Sequence, residues 1–232
     1  MSRVERQPTS PGAALALVVW DVHGVLLSGR PADQDAFALV VGLHPDAWLE
    51  VRNGYCGGEH AWERVETGHL TLDAFALELS SRIEAAGGRC PVETAKGLWG
   101  APTPFSRSLP DLRLLDFIAS DRRVRHAIGT NNIAEWGEVW RPMLPTGRFD
   151  WVFDSSDVGQ RKPESGFWSH VEERTGFRGK EILLVDDRET NIAAAVAHGW
   201  HGLQFSDAAS CLTLIEALLS ATRRSASPDG RH

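Results

Sequence analysis

The 232-residue sequence has few cysteines and no long apolar run. Its three cysteines, Cys56, Cys90 and Cys211, lie far apart and form no C-x-x-C pair. Such an odd, sparse set predicts neither a disulfide framework nor a zinc site, so a reducing, cytoplasmic location is the simplest expectation. No apolar run is long enough to span a bilayer. The run Ala13–Trp20 is also too short for a signal peptide and leads into Asp21 instead of a small-residue cleavage site.

Positive charge is scarce as well. The chain has 24 Lys and Arg against 31 Asp and Glu, a formal net charge of −7. This balance argues against nucleic acid or an anionic membrane as a partner, although a locally positive phosphate pocket is compatible with it. We find no internal repeat and no Walker, G-x-S-x-G or G-x-G-x-x-G motif. The expected oligomeric state is a monomer or a homodimer.

Short apolar runs alternate with helical periodicity along most of the chain. The first run ends at Trp20, and its Val and Leu content is typical of a strand buried on both faces. Four later runs have the same character, namely Val124–Ile128, Trp151–Phe153, Glu181–Val185 and Leu203–Phe205. Strands that alternate with helices predict a parallel sheet with right-handed crossovers. The fold class is therefore α/β, with a doubly wound, Rossmann-like sheet.

One segment interrupts the alternation, because it shows helical periodicity without strands. The predicted division is a core of residues 13–30 and 99–220, a small all-helical insert of residues 31–98, and disordered tails at residues 1–12 and 221–232. Inside the insert, glycine-rich Asn53–Gly58 predicts a break between helices. In the core, one helix is predicted around Ile133–Leu144 and a loop over Asp154–Lys162. The last helix is predicted over Ala208–Leu219.

Polar residues follow four of the predicted strands or lie in the next loop. They are Asp21, Thr130, Lys162 and the pair Asp186 and Asp187. Strand ends of a doubly wound sheet converge on one edge, so these residues can meet. A carboxylate that attacks phosphorus needs a cation to offset negative charge and donors for the transferring oxygens. The three aspartates could hold a hard cation such as Mg²⁺, while Lys162 supplies positive charge and Thr130 a hydroxyl donor.

In these four places the sequence resembles the haloacid dehalogenase-like hydrolases. Asp21-Val-His-Gly-Val-Leu26 resembles the motif D-x-D-G-x-[TV], and Thr130 matches the second motif. Lys162-Pro-Glu164 resembles the third motif, and Asp186–Ile192 the fourth. The resemblance implies that Asp21 forms an aspartyl-phosphate, that Thr130 and Lys162 bind the phosphoryl group, and that the acidic pair positions Mg²⁺. It also implies that the insert is an α-helical cap. Asn131 could contact the phosphate or close its turn.

His23 departs from the family pattern, whose phosphatases usually carry a second Asp there as acid and base. In the family this residue also ligates the metal through its backbone carbonyl, which any side chain leaves available. Imidazole titrates nearest neutrality and can protonate a leaving alkoxide, then activate water. Two alternatives stay open: a substitute acid and base, or a histidine tolerated in a slow or repurposed enzyme.

The sequence thus predicts a Mg²⁺-dependent phosphatase of a small phosphorylated metabolite. A dehalogenase-like hydrolase is less favoured, because the dehalogenases resemble one another in lacking the acidic pair. A catalytically weak binding protein is the third alternative. Asn191 is expected to brace the turn after the fourth strand, with a position on a helix surface as a nearly equal alternative. Around the glycine-rich break, packing is favoured over substrate contact for Arg52, Tyr55, His60 and Trp62. Most of the nine tryptophans are expected in the core.

Overall fold

The computed structural model describes residues 13–28, 34–99 and 108–226. At its centre lies one parallel sheet with the order β3-β2-β1-β4-β5. Its strands are β1 (Leu17–Trp20), β2 (Arg125–Thr130), β3 (Trp151–Asp154), β4 (Ile182–Asp186) and β5 (His201–Gln204). This arrangement confirms the predicted doubly wound α/β fold.

Helices make up most of the remaining described chain. In order they are α1 (Gln34–Val40), α2 (Pro45–Val51), α3 (Ala61–Glu66), α4 (Leu72–Ala85), α5 (Val92–Trp99), α6 (Leu112–Ser120), α7 (Gly137–Trp140), α8 (Ser155–Val158), α9 (Ser165–Thr175), α10 (Glu189–His198) and α11 (Ala208–Ala226). Within the described ranges, no helix combines the length and apolar character needed to cross a membrane.

Strand β1 is buried along its whole length and separates two apolar cores. Successive side chains of a strand point to opposite faces. Leu17 and Val19 therefore share a cluster with Phe167 of α9, whereas Trp20 packs on the other face, where Ile215 of α11 lies. Because both faces of β1 are covered by helices, the strand carries the uninterrupted apolar run that a parallel sheet requires.

The stretch between α2 and α3 differs from its prediction. The structure has a π-helical turn over Arg52–Gly58 in place of a break, and the N–H of Glu59 donates to the carbonyl oxygen of Gly54 at 2.9 Å. Tyr55 and Cys56 within this turn are buried. Glycine disfavours a helix locally, but the packing of these two side chains outweighs that preference.

Three other predictions on the core are wrong in detail. The single helix around Ile133–Leu144 is divided into short pieces on either side of α7, since Pro142 lacks the N–H that a continuous helix needs. The loop Asp154–Lys162 contains the short helix α8. Helix α11 continues through 221–226, which were predicted as disordered tail. Residues 1–12 and 227–232 lie outside the described residues.

Candidate active site

The strand order brings the carboxyl ends of β2, β1 and β4 side by side. Trp20 pairs with Ile128 of β2 and with Val185 of β4, so the next residue, Asp21, is flanked by Gly129 and Asp186. The chain leaves β1 toward β2 but returns to its other side at β4. A crevice at such a switch point is where doubly wound sheets bind their ligands.

Lys162 reaches this edge from the loop after α8. Its side chain is only 1% exposed, and its Nζ donates to the Gly129 carbonyl oxygen at 2.7 Å and to Asp186 Oδ2 at 2.6 Å. It also lies 3.0 Å from Asp21 Oδ1. Burial lowers the pKa of Lys162, but the charges of Asp186 and Asp21 outweigh that effect, so its pKa is raised overall. The lysine is therefore a fixed cation that joins the ends of three strands.

Asp21 is the predicted nucleophile, and the structure places it beside this cation. The backbone N–H of Val22 donates to its Oδ1 at 2.8 Å. Burial raises the pKa of Asp21 to about 7, Lys162 opposes that shift, and Asp186 and Asp187 add to it. Additional positive charge at the site would favour the ionised carboxylate that nucleophilic attack requires.

Asp186 is fully buried and accepts hydrogen bonds from three residues. Its Oδ2 accepts from Lys162, its Oδ1 accepts the backbone N–H of Arg188 at 2.9 Å, and the Asn191 side chain lies 3.0 Å from both oxygens. Asn191 is itself buried. The prediction that Asn191 braces this turn is confirmed.

Three carboxylates at this edge form a candidate cation site. Asp21, Asp186 and Asp187 each offer an oxygen within 4.8 Å of the others. Asp187 is the most exposed of the three, and partial burial of its carboxyl together with the charge of Asp186 raises its pKa. A Cβ on Gly24 would lie 2.5 Å from Asp187 Oδ2, so the missing side chain leaves the space that this carboxylate needs. Closely spaced carboxylate oxygens, one of them on an exposed residue, fit a hard cation such as Mg²⁺.

Thr130 ends β2 and is almost fully buried. Its Oγ1 accepts from the side chain of Asn132 at 2.9 Å. Asn132 is held in turn by Ser155, whose Oγ accepts its backbone N–H and donates to its carbonyl oxygen. A hydroxyl that accepts one hydrogen bond can still donate its own proton, so this network orients a donor at the predicted phosphoryl site.

Asn131 faces the loop of the lysine. Its Nδ2 donates to the Lys162 carbonyl oxygen at 2.7 Å, and its Oδ1 accepts the Lys162 backbone N–H at 2.9 Å. These two bonds engage both ends of the amide. Asn131 therefore positions the backbone of Lys162, and its predicted contact with substrate stays a prediction.

His23 lies in the turn that follows Asp21. The turn is closed by a hydrogen bond of 2.8 Å from the N–H of Gly24 to the carbonyl oxygen of Leu27. His23 is half-buried, and its charge acts to lower the pKa of Asp187. The ring therefore lies near the acidic pair, on the side where Gly24 approaches it.

Four residues near the site were not anticipated from the sequence: Asn132, Ser155, Arg161 and Glu66. Asn132 was within reach of prediction, because it belongs to the same Gly-Thr-Asn-Asn segment as Thr130. The other three carry no local signal, since polar residues in loops and short helices are usually solvated.

The four insert residues in and just after the π-helical turn either pack against neighbours or face solvent. Tyr55 is buried and stacks on Phe75 with ring centroids 5.3 Å apart. Trp62 packs edge-on against the same ring. Arg52 is half-buried and His60 exposed. Packing is thus confirmed for Tyr55 and Trp62. Among the tryptophans whose burial is described, six are buried, as predicted for the core: Trp20, Trp48, Trp136, Trp140, Trp168 and Trp200.

The fold and this edge define a Rossmann-like α/β protein whose acidic site is built around a buried lysine. A family model for haloacid dehalogenase-like hydrolases matches residues 15–199. The chain belongs to the haloacid dehalogenase-like hydrolases, as its motifs predicted. The protein is therefore a hydrolase.

Individual relatives and solved structures agree with this assignment. The chain is 31% identical over 199 residues to a sesquiterpene phosphatase of Aspergillus oryzae, covering 84% of this chain and 93% of that protein. Its fold is similar to a predicted HAD-like family hydrolase from Porphyromonas gingivalis, with a TM-score of 0.64, 20% identity and coverage of 89% and 98%. It is also similar to a HAD family enzyme from Bacteroides thetaiotaomicron in complex with magnesium and inorganic phosphate, with a TM-score of 0.57, 19% identity and coverage of 85% and 98%.

Proposed function

We propose that this hydrolase is a Mg²⁺-dependent phosphomonoesterase that acts on a small phosphorylated metabolite. The observation that carries the proposal is the buried Lys162 ammonium, which contacts both Asp21 and Asp186 at the edge where Asp187 completes a three-carboxylate cluster. The similarity to a sesquiterpene phosphatase supports phosphate ester chemistry. The retained acidic pair disfavours the metal-independent dehalogenase alternative.

In this mechanism Asp21 attacks phosphorus and the bond to the leaving oxygen breaks, which gives an aspartyl-phosphate. Lys162 and Thr130 hold the transferring oxygens by charge and hydroxyl donation. His23 protonates the leaving oxygen, then removes a proton from the water that attacks the aspartyl-phosphate and frees Asp21. The side chains of Asp21, Asp186 and Asp187, with the backbone carbonyl of His23, would hold the metal. Bound Mg²⁺ supplies positive charge that offsets the charge of the carboxylates and phosphate.

The surroundings of the site extend this proposal. Residues 31–98 are proposed to be a helical cap over a core of residues 13–30 and 99–220, because the described insert contains helices only and follows the motif of Asp21. All three cysteines are free and buried, which supports a reducing compartment such as the cytoplasm.

A test of the nucleophile is phosphate release from a panel of phosphomonoesters with and without Mg²⁺. We expect release that requires Mg²⁺ and that Asp21→Asn abolishes. A wild-type protein that releases no phosphate from the panel, or an Asp21→Asn variant as active as wild type, would contradict the phosphatase proposal. Halide release from 2-haloacids without metal would instead favour the dehalogenase alternative.

His23 is tested in the same assay by two substitutions. If the imidazole is the acid and base, His23→Asn should lower kcat by about 10²–10⁴-fold, whereas His23→Asp should keep most of it, because a carboxyl can also transfer a proton. An Asn variant with unchanged kcat would show that the histidine is only tolerated. A sharp rise of a low activity in His23→Asp would favour the repurposed alternative.

A further inference from the structure

Lys162 sits in a tight turn whose placement depends on another part of the chain. The turn is closed by a hydrogen bond of 2.9 Å from the N–H of Glu164 to the carbonyl oxygen of Arg161. Asn131 holds the middle of the turn through the backbone of Lys162. The side chain of the first residue, Arg161, pairs with the helical insert and is only 11% exposed. A contact that fixes the position of Arg161 therefore also fixes the start of this turn, residues 161–164, which we call the lysine turn.

The shortest contact of Arg161 is with Glu66, 95 positions away at the end of α3; its Nη1 also lies 4.0 Å from Glu63 of the same helix and 3.8 Å from Glu164. Glu66 Oε2 accepts from Arg161 Nε at 2.7 Å, and its Oε1 accepts from Trp62 Nε1 at 2.9 Å. The glutamate is 6% exposed. Both oxygens are thus hydrogen-bonded and both charged groups are shielded from water, unlike the usual exposed ion pair of a protein surface.

Helix α3 also contacts the core at two further places. The rings of Trp62 and Trp136 lie 5.8 Å apart between centroids, and Trp136 follows the segment of Thr130. Gly68, just after α3, approaches Ser156 so closely that a Cβ on it would lie 3.4 Å from the Ser156 carbonyl oxygen. The helix thus rests on the segments that follow β2 and β3. Thr130 is the last residue of β2, and Lys162 lies in the segment after β3.

From this geometry we propose that Glu66 and Arg161 are positioning residues that couple the docking of the helical insert to the placement of Lys162. The salt bridge joins the insert to the residue immediately before the lysine, and the turn transmits the position of Arg161 over one peptide unit. The structural part of the proposal stands without any assumed reaction, whereas its kinetic consequence rests on the proposed phosphatase function.

The test compares Glu66→Gln, Arg161→Gln and the double variant with wild type. Glu59→Gln is a matched control, because Glu59 also belongs to the insert and pairs with an arginine, Arg82 at 2.8 Å, but that pair lies within the insert. The first measurement is hydrogen exchange at the backbone amides of the lysine turn, without substrate. We expect faster exchange in Glu66→Gln and Arg161→Gln, and no change in Glu59→Gln.

The second measurement is kcat/KM with p-nitrophenyl phosphate and Mg²⁺. Because small misplacements of a catalytic group are costly, each single variant should lose about 10–100-fold in kcat/KM, and the double variant should lose little more than either single one. A lower Tm with unchanged kcat/KM and unchanged exchange in the turn would overturn the proposal and leave an ordinary stabilising pair. A wild type without phosphatase activity would contradict the proposed function alone, since the exchange measurement needs no substrate.

Discussion

The single positive charge of Lys162 does not balance the negative charges of the carboxylates around it. With all groups ionised, the three clustered aspartates carry three negative charges against its single positive one. The lysine contacts Asp21 and Asp186, whereas Asp187 lies at the exposed side. This imbalance contributes to the raised pKa values of Asp21 and Asp187, on top of burial. An added cation would therefore reduce the excess of negative charge at this site.

The raised pKa of Asp21 makes the free energy of unfolding depend on pH. Its pKa is about 7 in the folded protein against an ordinary 3.8, so between these values the folded state binds a proton that the unfolded state releases. Stability from this residue is therefore present at low pH and lost as pH rises from about 4 to about 7. We expect Asp21→Asn to be more stable relative to wild type at about pH 8 than at about pH 5, in urea unfolding with a chelator present. An equal difference at both pH values would contradict this assignment.

At the scale of elements, the turn after β1 gives Asp187 its space. Gly24 has a φ of +87°, and a Cβ there would lie 2.5 Å from Asp187 Oδ2. Gly24 must therefore both adopt a left-handed backbone conformation and lie close to a carboxylate. Both requirements arise because the turn folds back from β1 toward the end of β4.

The variant Gly24→Ala should displace Asp187 and weaken Mg²⁺ binding. The control is Gly176→Ala at the end of α9, where φ is +80° and a Cβ would meet nothing within 4 Å. Both substitutions carry a backbone cost of about 1–2 kcal/mol. Only Gly24→Ala should also weaken the affinity for Mg²⁺ measured by calorimetry. Equal affinity in both variants would show that the contact with Asp187 is unimportant.

At the scale of the whole molecule, the sheet assembles the candidate cation site from segments more than 150 positions apart. Asp21 follows β1, while Asp186 and Asp187 follow β4, and the pairing of these two strands brings them together. The site exists only in the folded protein. Binding of an ion there must therefore stabilise the fold as a whole.

Mg²⁺ should accordingly raise the Tm of the wild-type protein. At a concentration near 100 times Kd, mass action contributes about 2.7 kcal/mol. For a chain of this size that corresponds to an increase of about 5–10 °C. Asp187→Asn should lose most of the increase, and Asp116→Asn, an exposed control on α6, should keep it. A Tm that responds equally to Mg²⁺ in all three proteins would place the ion elsewhere.

The sequence by itself determined the fold class and the positions of the candidate site residues. This was possible because strand periodicity is local, and because strand ends of a parallel sheet share one edge, so Asp21, Thr130 and Asp186 could be placed without coordinates. The short pieces around α7 were less accessible, since the helical pattern there continues through Pro142.

Only the tertiary structure decided which side chains hold one another. Asn131 is hydrogen-bonded to the backbone of Lys162, and Glu66 is hydrogen-bonded to Arg161 from 95 positions away. Both contacts depend on how distant segments pack. Neither pairing leaves a periodic or compositional trace. The π-helical turn at Arg52–Gly58 has the same origin, because buried Tyr55 overrides the local preference of its glycines. Periodicity is a property of neighbouring residues and can be read from the sequence, whereas contacts between distant side chains are set by tertiary packing.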